Sequence, residues 1–370
     1  MPPLPSPALS PAEDSAPLVF LTAGDPAGIG PEILVAAWRR PGAHRRARLR
    51  ACVAPHTLRQ AADVAAAEVV VVAADDPRPS SPERILVVDP GDRDAVPRGV
   101  PTAAGGRAAV AALETAYGAV RRAEDAGQRA ALVTGPLHKG ALHAAGHDVP
   151  GHTEWLARAC GMADDAASMM LWLPADAATG RGALGVVHVT LHESLRQAVA
   201  GISAERIVAA GTRLAALLAA LLGRAPRLAV AALNPHAGED GLFGDDEARV
   251  IAPAVARLRA AGHDAAGPLP ADTLFLRAAA GAFDGVVAQY HDQGHIPVKL
   301  LGMHRAVNIT LGLPLVRTSV AHGTAFDIVG TGHADPASFL AAIDAAVRLA
   351  DAGWRGGREA QGRSGKRDGT

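Results

Sequence analysis

Apolar runs of strand length alternate with Ala-rich stretches of helical period along almost the whole chain. The runs fall at 18–23, 49–54, 68–72, 85–88, 130–134, 168–173, 183–189, 227–233, 284–290 and 306–310. Most are continuously apolar instead of alternating, the mark of strands covered on both faces. Helical patterning is clear at 104–126, 203–222, 245–261 and 336–352. Strand–helix alternation predicts an α/β fold, a largely parallel sheet with helices on both sides. A chain of 370 residues is long enough for two such domains sharing one cleft. No Ser- or Pro-rich linker separates two halves, so the domains are expected to share chain crossings. The Pro-, Ser- and Ala-rich residues 1–17 lack a basic segment followed by an apolar one and read as a disordered leader. The Gly- and Arg-rich end, 353–370, reads as a disordered tail.

Composition narrows the function classes. Hydrophobic residues make up 49% and charged residues 20%, with a formal net charge of −1. Without a clustered basic block, nucleic acid is not an expected partner. No run of about 18 apolar residues suits a bilayer. The two cysteines, Cys52 and Cys160, are far apart and lack CxxC spacing, which favours a reducing cytoplasm over a disulfide scaffold or thiolate zinc site. Lys is confined to Lys139, Lys299 and Lys366, and Asn to Asn234 and Asn308. In a chain so biased toward Arg and Ala, such survivors point to specific jobs.

Three histidines occupy equivalent settings. His188 ends the run Gly185-Val186-Val187, His236 follows Leu233-Asn234-Pro235, and His291 follows Ala288-Gln289-Tyr290. Each lies at the C-terminal end of a predicted strand, where open α/β sheets place ligands. Three imidazoles converging there would hold one divalent metal with a position left open for substrate. The Gly loop Gly24-Asp25-Pro26-Ala27-Gly28-Ile29-Gly30 follows the first strand. It lacks both the dinucleotide GxGxxG spacing and a Walker lysine, so a ligand cradle and a tight packing turn both remain open. Gly151-His152-Thr153-Glu154 reads as a helix start with Thr153 near the N-cap, serving either simple capping or an anion. Lys299, Asn308 and Arg317 could clamp a phosphorylated, carboxylate-bearing substrate, and Arg317 stands in an apolar strand run.

Taken together, the segments GDPAGIGPEI, TGPLHKG, GHTE, LNPHAGE, GPLPADT, YHDQG and VNITLGLPLVRTS resemble the 4-hydroxythreonine-4-phosphate dehydrogenase family, in order, over nearly the whole chain. The resemblance implies an isocitrate/isopropylmalate dehydrogenase-like subunit, two α/β domains flanking an active-site cleft. The first domain would take 18–135 plus 310–352, the cofactor side, and the second 136–309, with the metal and the dimer interface. It further implies a homodimer with active sites at the interface and one divalent ion (zinc, magnesium or cobalt) per subunit on His188, His236 and His291. His152, Thr153, Lys299, Asn308 and Arg317 would bind substrate. His322, Gly323, Thr324, Ala325 and Asp327 would bind NAD or NADP, since HGTAFDI is similar to the adenosine loop of the isocitrate and isopropylmalate enzymes.

The implied activity is oxidation of 4-phosphohydroxy-L-threonine with decarboxylation to 3-amino-2-oxopropyl phosphate, a step of pyridoxine biosynthesis. Asp292, Lys299 and a water are the candidate proton acceptors. Residues 294–301 and 324–328 look closer to paralogues acting on 4-phospho-D-threonate or 4-phospho-D-erythronate. Residues 187–194 resemble relatives oxidising aromatic cis-dihydrodiol carboxylates, but Asn308 and Arg317 keep the phosphate readings ahead. A non-catalytic metal- or phosphate-binding protein would be expected to have lost the metal ligands or the cofactor loop, and neither is lost. An acyl or phosphoryl transferase would need a nucleophile elbow or a Walker lysine, and both are missing.

Overall fold

The structure, a computed structural model, describes residues 16–62, 67–92, 94–163 and 166–356. The expected leader and tail lie almost wholly outside these residues. The chain forms two compact units, residues 1–147 with 324–336 and residues 148–323 with 337–370.

Unit 1 contains β1 (Leu18–Thr22), α1 (Gly30–Trp38), β2 (Arg48–Ala51), α2 (Pro55–Ala62), β3 (Glu68–Val71), β4 (Arg84–Val87), α3 (Ala103–Asp125), β5 (Ala130–Thr134) and α4 (Lys139–Ala144). Its strands lie in the order β3-β4-β2-β1-β5, every pair parallel. β1 and β5 are buried at every position, which is why they read as unbroken apolar runs. Helix α3 starts at Thr102, whose hydroxyl accepts the Gly105 N–H at 3.1 Å.

Unit 2 contains α5 (His152–Ala159), β6 (Ser168–Leu173), β7 (Leu184–His188), α6 (Leu195–Ala200), α7 (Ala204–Leu222), β8 (Arg227–Ala231), α8 (Ala252–Ala260), β9 (Asp264–Leu269), α9 (Ala271–Ala279), β10 (Gly285–Ala288), α10 (His291–Gly302), β11 (Val307–Leu311), β12 (Val316–Val320) and α11 (Ala337–Asp351). Strands β7, β10, β8 and β9 are parallel, whereas β12, β11 and β6 join the β7 edge in antiparallel fashion. The sheet is therefore less parallel than the alternation predicts. A short turn joins β11 to β12, and a tight connection allows antiparallel pairing without a crossover helix.

The domain division also differs from the expected 18–135 plus 310–352. β11 and β12 hydrogen-bond within unit 2, and α11 packs on them, with Thr318 Oγ1 donating to the Ala342 carbonyl at 2.8 Å. Residues 324–336 alone return to unit 1 from the C-terminal part. Two strands are absent from the ten runs: β12, marked only by the apolar neighbours of Arg317, and β9, because Gly267 and Pro268 interrupt its sequence.

Asp284, 6% exposed at the base of β10, ties the sheet to the segment before β8. It accepts both Arg224 terminal nitrogens at 2.9 and 2.8 Å and the Arg227 backbone N–H at 2.8 Å. Burial alone would raise this carboxyl, but the hydrogen bonds from Arg224 and Arg227 outweigh it and hold the pKa well below the ordinary carboxylate range. A depressed pKa stabilises the fold above the unfolded value, about 4, and that contribution disappears as pH falls through the folded value. Asp284→Asn should therefore cost about 1–3 kcal/mol at neutral pH, tempered by the half-exposed arginines. The gap between variant and wild type in urea unfolding should close as pH drops below about 4. A gap that stays constant with pH would contradict this account.

Candidate metal and anion site

The C-terminal ends of β7 and β10 lie side by side, with Ala288 opposite His188. His291 opens α10 directly after β10, so register brings His188 and His291 together, ring centroids 6.2 Å apart. Helix α10 descends onto His188 at Gly294, where a Cβ would collide with the His188 Nε2 atom. One turn on from His291, His295 stacks on that ring at 3.7 Å, and its Nδ1 lies 3.1 Å from His188 Nε2. His188 is 4% exposed, and its Nδ1 has no hydrogen-bond partner. Burial, then the neighbouring His295 and His291, push its pKa well below the usual histidine value, so the imidazole is neutral. Burial pushes His295 down to about 4. Neutral imidazoles are the form that ligates metal. No motif singles out His295, although the i, i+4 spacing of His291 and His295 puts both on one helix face.

His236 does not join this group. Residues His236 to Asp240 all have positive φ, at 51°, 56°, 83°, 44° and 54°, forming a left-handed turn after β8. Such backbone costs a non-glycine residue roughly 1–2 kcal/mol, so surrounding contacts must hold it. Glu247 does so at the turn's entrance, accepting the Leu233 and Asn234 N–H groups at 2.8 and 2.7 Å and the Asn234 side-chain amide at 3.0 Å. The turn leaves His236 exposed, its ring 6.3 Å from that of Phe243. Among the described residues no group of three or more His, Cys, Asp or Glu side chains is placed to hold a metal. Within one chain the structure thus brings His188 and His291 together without His236.

Two of the residues expected to bind an anion, Asn308 and Arg317, fall on one face of the β11–β12 pair. Asn308 sits opposite Ser319, so strand alternation places Asn308, Thr310, Arg317 and Ser319 together. Arg317 is 3% exposed and donates to Thr310 Oγ1 at 3.0 Å. Burial lowers its pKa to about 10, while the Glu154 carboxylate works the other way. Arg317 in turn helps burial to keep His152 neutral, so the first turn of α5 shares its electrostatic surroundings. Asn308 Oδ1 is buried without a hydrogen-bond partner. In α5 the N-cap is Gly151, with no side-chain cap, and Thr153 lies inside the first turn instead of near the cap position. Asp292 is exposed and meets His291 Nδ1 at 2.7 Å, and Lys299 stands exposed on α10.

In unit 1 the Gly loop is a packing turn. Side chains at Gly24 or Gly30 would run into the backbone of Pro136 or Ala23. At Gly28 a Cβ would press on Thr324, whose carbonyl accepts the Ile29 N–H at 3.0 Å. The loop therefore buttresses the segment from Thr324 to Asp327, in which Ala325 takes a left-handed φ of 44°. His138 packs edge-on against Phe326 at 5.3 Å. Asp25, wholly buried beneath, accepts the Ala27 N–H at 3.0 Å, and burial raises its pKa. Of the remaining cofactor candidates, Gly323 is exposed and His322 has a buried Nε2 with no hydrogen-bond partner.

Comparison with known proteins places these features in a family context. Residues 46–346 match the family described as pyridoxal phosphate biosynthetic protein PdxA. The chain is 42% identical to a 4-hydroxythreonine-4-phosphate dehydrogenase of Bradyrhizobium diazoefficiens, over 92% of this chain and 99% of that one. It is also 42% identical to a D-threonate 4-phosphate dehydrogenase of Salmonella typhimurium, over 90% and 98% respectively. A crystal structure of 4-hydroxythreonine-4-phosphate dehydrogenase from Klebsiella pneumoniae superposes with a TM-score of 0.75 at 39% identity, covering 90% of this chain and 98% of that one.

The contact at Gly294 gives a direct check on this geometry. In an ordinary helix Gly→Ala stabilises by about 1 kcal/mol. Here the added methyl must displace the His188 ring, so Gly294→Ala should destabilise by about 1–3 kcal/mol and shift the His188 imidazole resonances. A variant that melts higher than wild type, with those resonances unmoved, would refute the close approach.

Proposed function

This chain belongs to the PdxA family, and from that membership we propose that it is a metal-dependent, NAD- or NADP-linked dehydrogenase of phosphorylated hydroxy acids. The observation that carries the reading is the pairing, within unit 2, of a neutral buried His188 beside His291 with a buried Arg317 beside Asn308. The first is a nitrogen donor set, the second a clamp for an anionic substrate. The primary substrate is 4-phosphohydroxy-L-threonine, oxidised at its secondary alcohol and decarboxylated to 3-amino-2-oxopropyl phosphate. D-Threonate 4-phosphate is the second reading, because relatives with each name match at the same 42% identity. Both acids share the phosphate and a hydroxyl β to the carboxylate.

His188 and His291 would hold one divalent ion, with zinc, magnesium or cobalt fitting imidazole to different degrees. The orphaned Nδ1 of His188 and the neutral state of its ring suit such a ligand. His236, exposed on its left-handed turn, would complete the set from a second copy of the chain. The exposed apolar side chains Leu276, Ile296 and Leu300 on α9 and α10 support such a homodimer as the face it would cover. A bound ion would supply Lewis-acid chemistry, lowering the pKa of the substrate hydroxyl. Asp292, against His291 Nδ1, fixes that ring and leaves its Nε2 lone pair for ligation. Lys299 then becomes the side-chain candidate to take the hydroxyl proton. Arg317 and Asn308, with His152 and Thr153 at the start of α5, would bind the phosphate and carboxylate. Thr324, Ala325 and Asp327 of unit 1, preceded by His322 and Gly323, would carry the dinucleotide; the buried orphan Nε2 of His322 suits a polar ligand group. No described helix is long and apolar enough to cross a membrane, which accords with a proposed place in the cytoplasm.

Reduction of NAD or NADP should follow addition of either phosphorylated acid and stop on exhaustive chelation. Arg317→Lys keeps the charge but loses the two-pronged guanidinium contact. It should fold and lose about 1.5–3 kcal/mol of transition-state binding, roughly 10- to 150-fold in kcat/KM. The loss should be far smaller for a dephosphorylated analogue. Full activity without metal, or faster turnover of an aromatic dihydrodiol than of either phosphorylated acid, would overturn the reading.

A further inference from the structure

A second concave, basic surface lies entirely within unit 1. It is a cleft of about 550 Å³ with Val35, Ala36 and Ala61 among its walls and Arg39, Arg40 and Arg98 on its lining. Its far side is the stretch from Gly330 to Ala334, which continues directly from the loop Thr324 to Asp327. Val35 and Ala36 near the end of α1 line the cleft together with Arg39, which caps the helix, and Arg40 just beyond it, so apolar side chains and cations border the same space. The facing wall is held by Glu32. Its Oε1 accepts the Gly330 N–H at 2.8 Å and is paired with the Arg98 guanidinium. Arg98 thus answers the one carboxylate of the lining. Arg39 and Arg40 form no ion pair among the described residues, and both are exposed. Three guanidinium groups against one carboxylate leave a net of two positive charges facing a cleft with apolar walls.

Concave walls of low polarity strengthen such a field, and a phosphate monoester carries about 1.5 to 2 negative charges near neutral pH. A diphosphate embedded in a dinucleotide has no terminal monoester to match this. A 2′-phosphate on the adenosine ribose does, and guanidinium forks suit its planar sets of oxygens. The walls, Val35, Ala36 and Ala61, are apolar enough for the purine or ribose alongside.

We infer that this cleft reads a 2′-phosphate on the adenosine end of the cofactor, so that Arg39 and Arg40 set a preference for NADP over NAD. The inference rests on the proposed assignment of Thr324 to Asp327 to the dinucleotide. It goes beyond that assignment by naming which of the two cofactors the chain selects and which side chains select it.

The test uses the full chain and two probes differing by one group, 2′,5′-ADP and 5′-AMP, titrated by calorimetry. Wild type should bind 2′,5′-ADP at least about 10-fold more tightly. The double variant Arg39→Ser, Arg40→Ser, altered on an exposed surface, should lose that preference and keep its affinity for 5′-AMP within about twofold. In turnover it should raise KM for NADP with kcat, and the KM for NAD, unchanged. Arg98→Ala serves as a second variant, lowering affinity for 2′,5′-ADP while freeing Glu32. Equal wild-type affinity for the two probes, or a preference untouched by the double variant, would overturn the inference. If 5′-AMP still binds and Asp327→Ala weakens it, the loop assignment survives that failure. If neither nucleotide binds, both fall together.

Discussion

Helix α10 can settle onto the end of β7 because position 294 has no side chain, and that approach sets the chemistry of unit 2. It seals His188 from water, and burial in turn denies the ring a proton. A charged imidazole there would face His295 and His291 at short range, so the packing and the protonation state support each other. The same helix carries Asp292 on its first turn and Lys299 two turns on, so the groups proposed as donor, orienting residue and proton acceptor all sit on one element. His295 pins the helix to the strand end through His188, and Gln293 does so through the Ala232 carbonyl at 2.8 Å.

The second feature of unit 2 is a cation taken out of water. Arg317 donates to Thr310 and feels the Glu154 carboxylate, and burial has already reduced its basicity. A guanidinium in such surroundings is costly without an anion, which fits a site whose occupant brings negative charge. Asn308 adds an unanswered carbonyl oxygen on the same strand face. Each group is tolerable because the strand pair is fixed from behind by α11, through contacts such as Thr318 to Ala342.

Much of this was legible in the residues. All ten apolar runs became strands, because short continuous apolar runs bounded by turn residues mark strands whatever their direction. The placement of His188 and His291 at strand ends followed from the same pattern. What the sequence could not show was register and backbone handedness. Whether His236 points inward depends on five consecutive positive φ angles, and of those residues Gly238 is the sole glycine to signal them. The antiparallel half of the unit 2 sheet was hidden because continuous apolar runs do not disclose strand direction. The boundary between units moved because the pairing partners of β11 and β12 are a matter of topology, not of composition. The Gly24–Gly30 loop, open between two readings from sequence, is accounted for by close backbone packing against Ala23, Pro136 and Thr324.

The account depends most on His236 serving a neighbouring copy instead of its own His188 and His291. Subunit complementation tests this directly. His188→Ala and His236→Ala chains, each inactive alone, are mixed under conditions that exchange subunits. In a mixed dimer one of two sites would draw every ligand from an unaltered position. Since about half of randomly paired dimers are mixed, activity should return to about one quarter of wild type. If all three histidines serve a site within one chain, mixing restores nothing, and that result would contradict the account.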